Sequence, residues 1–256
     1  MILLLDVGNT RIKGALLAAD GRIGPSTAVT HGGHWAQAVD ELLQQLAASE
    51  PVEQVWLASV AGEHIETMQQ QLQASLQVVV RRAQVSPQAC GVRCGYEDVS
   101  RLGIDRWLAL IAGFRHSSGP VCVIDCGSAM TVDVVDAGGQ HLGGYIIPGL
   151  QMMAEALQLN TQQIRVDQSV SDSCALGNNT AEAVIHGTYY ALLAVVQQKA
   201  AELEQQMGAP VPVFLTGGDA QKLFELCDRV TAKTLRVEQD LVLQGLVHVL
   251  SEQENI

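Results

Sequence analysis

The sequence predicts an α/β protein made of two similar halves, and three observations carry that expectation. The first is Met1–Lys13. An apolar run, Ile2–Leu5, leads into Asp6, a Gly8-Asn9-Thr10 turn follows, and the chain then alternates from Ile12 to Leu16. So short an apolar run, closed by a Gly-Asn turn, reads as a buried strand, and the alternation after it reads as its hairpin partner. The second observation is a copy of this design at Val121–Val135: an apolar strand, Asp125-Cys126-Gly127-Ser128, then alternation again. Asp6 and Asp125 stand 119 residues apart in a chain of 256, the mark of an internal repeat. The third is the order of elements: a three-strand meander followed by strand, helix and strand in the first half. The division is placed near Gly119-Pro120, giving halves 1–118 and 119–256.

Each hairpin carries chemistry as well as architecture. Backbone N–H groups of a small-residue turn can converge on an anion and let a phosphate come close. Asp6, at the strand end, is placed to hold Mg²⁺, which prefers carboxylate, water and phosphate oxygen. One such hairpin is equally an ordinary turn with a nearby acid. Two of them, facing across a cleft, describe a nucleotide clamp.

Composition narrows the class. The chain is 48% hydrophobic and 16% charged, a globular balance with enough length for a sizeable core. A net charge of −12 argues against nucleic acid and anionic membranes as partners, so an anionic substrate must be caught by local donors. No stretch is long and apolar enough to span a bilayer, and no basic region precedes the first apolar run, so a cytoplasmic protein is expected. The cysteines at 90, 94, 122, 126, 174 and 227 follow no disulfide framework. Cys90 and Cys94 form a C-x₃-C pair with no second pair to complete a zinc set.

Taken in order, Ile23–Thr30 is expected as a third strand, and His31-Gly32-Gly33-His34 as a loop. Trp35, Val39, Leu42, Leu43 and Leu46 recur at helical spacing, predicting a helix over Trp35–Ala48 that ends before Pro51. Val55–Val60 is a strand, Glu63–Ser75 a helix and Leu76–Val80 a strand. Ala83–Leu102, which holds Tyr96, has no periodicity, and long loops of this kind are usually functional or mobile. A helix is predicted from Gly103 to about Arg115. Its start is an anion site by virtue of free N–H groups, while Asp105 in its first turn is equally explained by helix electrostatics. In the second half the pattern gives a strand at His141–Ile147 and a helix at Leu150–Leu159. A second long loop follows at Asn160–Asn178, then a long helix at Thr180–Gln206 with Thr180 as its N-cap. A strand at Val211–Leu215 runs into the Gly-rich turn Thr216-Gly217-Gly218-Asp219 and a helix. A last helix is expected at Leu241–Leu250, with Ser251–Ile256 frayed.

The motifs DVGNTRIK (6–13), GIDR (103–106), DCGSAMT (125–131), GGYIIPGL (143–150), GNNTAEAVIHG (177–187), TGGD (216–219) and DLVLQGL (240–246) stand in one order along the chain. As an ordered set they resemble the type III pantothenate kinases, within the actin, sugar-kinase and Hsp70 superfamily. The resemblance implies two ribonuclease-H-like halves gripping ATP in a cleft. It implies phosphorylation of pantothenate to 4′-phosphopantothenate, the first step of coenzyme A synthesis. It gives Asp105 the role of catalytic base, and Tyr96, Gly103, Ile104, Arg106 and Thr180 contacts to pantothenate, Thr180 reaching across a homodimer. Asp6, Val7, Gly8, Asn9, Thr10, Arg11, Ile12, Lys13 and Ser128 are implied to bind Mg²⁺-ATP, Asp6 holding Mg²⁺ through water. Asp125 is implied to hold a monovalent cation, K⁺ or NH₄⁺. Ser128 departs from the family's usual Thr but keeps the hydroxyl, and Leu159–Ile164 fits the family less well. A second reading is another kinase or phosphatase of the same superfamily, acting on a sugar or polyphosphate; a third is a nucleotide-binding accessory or regulatory protein without kinase activity. The acids Asp6, Asp105 and Asp125 argue against the third, since a pure binder has no use for a base.

Overall fold

Two five-stranded sheets repeat the same design along the chain. The structure is a computed structural model that describes residues 1–46, 51–60, 62, 64–160, 164 and 170–254. The first sheet is built from β1 (Ile2–Val7), β2 (Arg11–Leu17), β3 (Thr27–Thr30), β4 (Gln54–Ser59) and β5 (Val79–Arg82), in the order β3-β2-β1-β4-β5. Pairing is antiparallel on the β2 side of β1 and parallel on its β4 side. A small hairpin, β6 (Gln88–Ala89) and β7 (Val92–Arg93), follows. The second sheet comprises β8 (Val121–Cys126), β9 (Ala129–Val135), β10 (His141–Pro148), β11 (Val213–Thr216) and β12 (Leu235–Val237), in the order β10-β9-β8-β11-β12. Its pairing directions match those of the first sheet strand for strand. The repeat expected from Asp6 and Asp125 is therefore a repeat of topology, two ribonuclease-H-like sheets with an acid at the end of each central strand.

The chain divides into two compact units, one of Met1–Ala112 with Asp240–Ile256, and a second of Gly113–Gln239. This differs from a single cut at 118/119. The division falls inside α3 (Ile104–Ser117), and the C-terminal helix α7 (Leu241–Glu254) packs on β1 and β4 of the first unit.

In the first unit, α1 (Trp35–Leu46) and α2 (His64–Leu76) cover one face of the sheet. Leu3, Leu5, Val7, Ile12, Val55 and Leu57 pack there against Val39, Leu42, Met68 and Leu72. Leu4, between them in sequence, is also fully buried, because α7 lies over the other face. Burial on both faces is why the strand is an unbroken apolar run and not an alternating one. Where α7 crosses α3, Gly245 is obligatory, since a Cβ would lie 2.0 Å from the carbonyl oxygen of Leu108. In the second unit, Cys122, Ile124, Cys126 and Val132 pack against Tyr189, Leu192 and Val196 of the long helix α5 (Thr180–Met207), and against Ala220 and Leu223 of α6 (Ala220–Leu226). The helix α4 (Leu150–Asn160) packs along α5.

Several boundaries differ from expectation for local reasons. Gln77 adopts a left-handed backbone at φ 55° and donates its N–H to Gln73 at 2.9 Å. That closes α2 after Leu76, so the next strand begins at Val79 and not at Leu76. Ala83–Leu102 contains β6, β7 and a 3₁₀ turn at Val99–Arg101 capped by Asp98. The last helix continues through Ser251 to Glu254, beyond the point where the sequence predicts fraying. Strand β12 has no counterpart in the expected elements. Ala47, Ala48, Glu63, residues 161–163 and 165–169 of the second expected loop, and residues 255–256 lie outside the described residues.

Candidate active site

The first hairpin brings its predicted residues together in one turn. Gly8 donates its N–H to the Arg11 carbonyl at 3.0 Å, and Asn9 and Thr10 form the exposed tip. Gly8 has no positive φ, and a Cβ there would meet only the Arg11 oxygen at an ordinary 3.5 Å. Folding does not require glycine at this position; what the missing side chain leaves is open space over the turn's backbone, where a phosphate would fit. Val7 and Ile12 are fully buried in the core, so only their backbone can meet a ligand. Asp6 and Lys13 are direct cross-strand partners on one face of the sheet. Asp6 lies at the carboxyl end of the central strand, with an antiparallel neighbour on one side and a parallel one on the other. Ligands of open α/β sheets bind at such a switch point.

Lys13 also reaches Asp240, at 3.2 Å, and Ser26 donates to the same oxygen at 2.9 Å. Asp240 precedes α7 and accepts, through its carbonyl, the N–H of Gln244. The lysine expected among phosphate ligands is thus oriented by an acid 227 residues away. Asp240 lies in the DLVLQGL motif, but its part here could not be read from sequence, since nothing local links it to Lys13.

A second group forms around the start of α3. Arg106 is 7% exposed, donates from Nη1 to the Tyr96 hydroxyl at 2.9 Å, and lies over the Tyr96 ring at 5.7 Å. The Asp105 carboxylate accepts the Arg106 N–H at 2.8 Å. A Cβ on Gly103 would sit 2.5 Å from that carboxylate, so glycine clears the space the acid occupies. Ile104, the neighbour of this group, points into the core at 7% exposure. Tyr96, Gly103, Asp105 and Arg106 therefore form one cluster, set by a tyrosine from an irregular segment and the first turn of a helix.

In the second unit Asp125 is the acid at the end of β8, with Thr131 and Thr216 as its strand partners. Two glycines crowd its carboxylate. A Cβ on Gly217, which has φ +88°, would lie 2.4 Å from its oxygen, and one on Gly127 would lie 3.1 Å from it. Ser128 is at the exposed turn, and its carbonyl accepts the Gly149 N–H at 3.0 Å. Thr180 is not the helix cap. Asn179 holds that place, accepting the Glu182 N–H at 3.0 Å, while Glu182 takes the Asn178 N–H at 2.8 Å. Thr180 is left exposed beside a groove of about 630 Å³ lined by Pro148, Met153, Leu157, Ala183 and Gly187.

With these groups in place, similarity to known proteins becomes decisive. The sequence profile of the type III pantothenate kinases matches residues 2–202. The chain belongs to the type III pantothenate kinase family. A relative of that name from Pseudomonas paraeruginosa is 40% identical over 254 residues, covering 96% of this chain and 97% of its own. One from Chromohalobacter salexigens is 38% identical over 253 residues, covering 96% and 86%. Solved structures confirm the fold at lower identity. A Campylobacter jejuni protein assigned to the Baf family of transcriptional activators superimposes with a TM-score of 0.61 at 20% identity, covering 99% of this chain and 100% of its own. A Sinorhizobium meliloti protein assigned as a 2-dehydro-3-deoxygalactonokinase gives 0.55 at 13% identity, with both chains fully covered. The matched stretch of the family profile runs through the first hairpin, the Asp105 cluster, Asp125, Ser128 and Thr180. Among the described residues no helix is long and apolar enough to cross a membrane.

Proposed function

We propose that this pantothenate kinase transfers the γ-phosphoryl group of ATP to the primary hydroxyl of pantothenate with Asp105 as the base. The observation that carries the reading is the Gly103–Asp105–Arg106–Tyr96 cluster. A carboxylate is held in a space that glycine leaves for it, next to a buried guanidinium that suits a carboxylate substrate. Arg106 and Tyr96 bind the pantothenate carboxylate and polar groups, with the backbone of Gly103 and Ile104 alongside. Asp105 then orients the hydroxyl and takes its proton as the phosphoryl group leaves. Gly8, Asn9, Thr10 and Arg11, with the backbone of Val7 and Ile12, are assigned the phosphates. Lys13, oriented by Asp240, supplies charge, and Ser128 a further hydroxyl. Thr180 is assigned to pantothenate.

Asp6 suits Mg²⁺, being a carboxylate beside a turn open to phosphate, and when bound the ion neutralises phosphate charge. Asp125, whose carboxylate has room only because Gly127 and Gly217 carry no Cβ, suits a monovalent cation such as K⁺ or NH₄⁺. We further read the chain as a homodimer in the cytoplasm. Exposed Tyr145, Ile146, Met152, Leu157 and Tyr190 support a face covered by a second copy. The cysteines, all free, are consistent with a reducing compartment. Replacing Asp105 by Asn tests the assignment. ATP binding should persist while turnover falls by about 10²–10⁴-fold, the usual contribution of a general base. Turnover at the wild-type rate would remove Asp105 from that role.

A further inference from the structure

His186, on the second turn of α5, is buried at 7% exposure, yet both of its ring nitrogens meet acceptors. Nδ1 lies 3.0 Å from the Ala175 carbonyl oxygen and Nε2 lies 3.2 Å from that of Ser171. A carbonyl oxygen only accepts. A neutral imidazole has one N–H, so in that form one of the two nitrogens would present a lone pair to a carbonyl lone pair. An imidazolium donates to both. The two carbonyls belong to one segment, residues 170–179, which leads directly into the start of α5.

The same segment is fastened elsewhere by bonds that do not depend on His186. The Tyr189 hydroxyl donates to Asp172 at 2.6 Å. Asn178 and Asn179 close the capping pair with Glu182. Gly177 is so close to α5 that a Cβ would lie 2.4 Å from the Ala183 nitrogen. His186 is the fastening in the middle of the segment, and the number of bonds its ring donates depends on the protons it carries.

We infer that His186 is a positioning residue, whose protonated ring straps residues 171–175 onto α5 and whose neutral ring releases half of that hold. The charged groups on the strap and on the helices packed against it have partners of their own. Asp172 on the strap takes the Tyr189 bond and lies 3.8 Å from Lys222 of α6. Lys222 also lies 3.9 Å from Asp219 at the start of α6. On α5, Glu182 takes the Asn178 N–H, and on α4, Glu155 takes a bond from Gln151 at 2.6 Å. Cys174, on the strap, is held neutral, as burial raises its thiol above the usual range. The device thus works in one direction: the strap is closed while the ring carries two N–H protons and loosens when the ring gives one up. Because the strap ends at Asn178-Asn179-Thr180, a loosened strap weakens pantothenate binding. This consequence, unlike the strap itself, rests on the assignment of Thr180 to substrate.

The test compares wild type with His186→Gln, whose amide donates to one carbonyl at any pH. Hydrogen–deuterium exchange of residues 171–179 is measured at pH 6 and pH 8.5, and the wild-type rate is divided by that of the variant to remove the intrinsic effect of pH. The ratio should rise about tenfold between the two, the order expected for losing one charge-assisted bond. The KM for pantothenate, at saturating Mg²⁺-ATP, should rise in wild type by a similar factor with kcat unchanged, and stay flat in the variant. Imidazole ¹⁵N spectra of wild type give a readout without substitution, with His186 carrying two N–H protons at pH 6. An exchange ratio independent of pH, or a singly protonated His186 at pH 6, overturns the inference. An exchange ratio that moves while KM stays flat supports the strap and refutes the substrate role of Thr180 instead.

Discussion

Replacing Gly103 by Ala should disable the chemistry and spare the fold. A Cβ at this position lies 2.5 Å from the Asp105 carboxylate oxygen, 3.7 Å from its Cγ and 3.9 Å from the Arg106 side chain. The near atom is the tip of a flexible side chain and not backbone, so the strain is relieved by turning the carboxylate. To reach ordinary contact at 3.4 Å the oxygen must retreat by about 0.9 Å, which also pulls it from the Arg106 N–H it accepts at 2.8 Å. Gly103 has no positive φ, so alanine brings no backbone strain. Displacing a reacting group by about 1 Å costs on the order of 10²-fold in rate. The expected result is therefore kcat/KM for pantothenate lower by about 10²-fold, with an unchanged affinity for ATP and a stability change of about 1 kcal/mol or less. Steady-state kinetics, ATP titration by calorimetry and a thermal melt measure the three quantities. A variant with wild-type kcat would refute the reasoning, since it would show that the position of the Asp105 carboxylate does not matter to transfer.

Other perturbations separate fold from site. Gly245→Ala places a Cβ 2.0 Å from backbone of Leu108, which cannot turn aside, so it should destabilise by about 3 kcal/mol or more in a urea melt. Asp240→Asn removes the ion pair that orients Lys13, and should raise the KM for ATP several-fold while leaving that for pantothenate unchanged in initial-rate kinetics. Burial pushes the Cys122 thiol up to about 12, and Cys126 is raised likewise by burial and then by the nearby Asp125. At pH 8 a thiol reagent should therefore leave both unreacted until the chain is unfolded. Both raised values also make the folded state hold protons that the unfolded chain gives up. Stability from these groups is complete below pH 9 and is lost as pH rises from there toward about 12, to be read as a falling urea midpoint.

How much the sequence discloses depends on how local the cause is. The hairpins at Asp6 and Asp125 are legible because a strand buried on both faces must be an unbroken apolar run, and its Gly-containing end marks where the run stops. The repeat between them carries the topology of both sheets. The Asp105 cluster is legible only by resemblance, as an acid in a first helical turn has a sufficient local explanation. Strand β12 escapes sequence reasoning because three residues, one of them Arg236, carry no periodicity, and only pairing with β11 makes them a strand. The start of β5 shifts from its expected place because Gln77 takes a left-handed conformation without being Gly or Asn. The helix cap falls one residue before Thr180 because both Asn179 and Thr180 are good caps, and the Glu182 bond alone decides between them. The Lys13–Asp240 pair and the packing of α7 on the first sheet are long-range contacts with no local trace.

Mass spectrometry of the products from purified protein with ATP, Mg²⁺ and pantothenate, run with K⁺, with NH₄⁺ and with neither, reads the transfer itself. ADP and 4′-phosphopantothenate should form in equal amounts, and only when a monovalent cation is present. ATP bound without any phosphorylated pantothenate under all three conditions would show that the protein is not a pantothenate kinase.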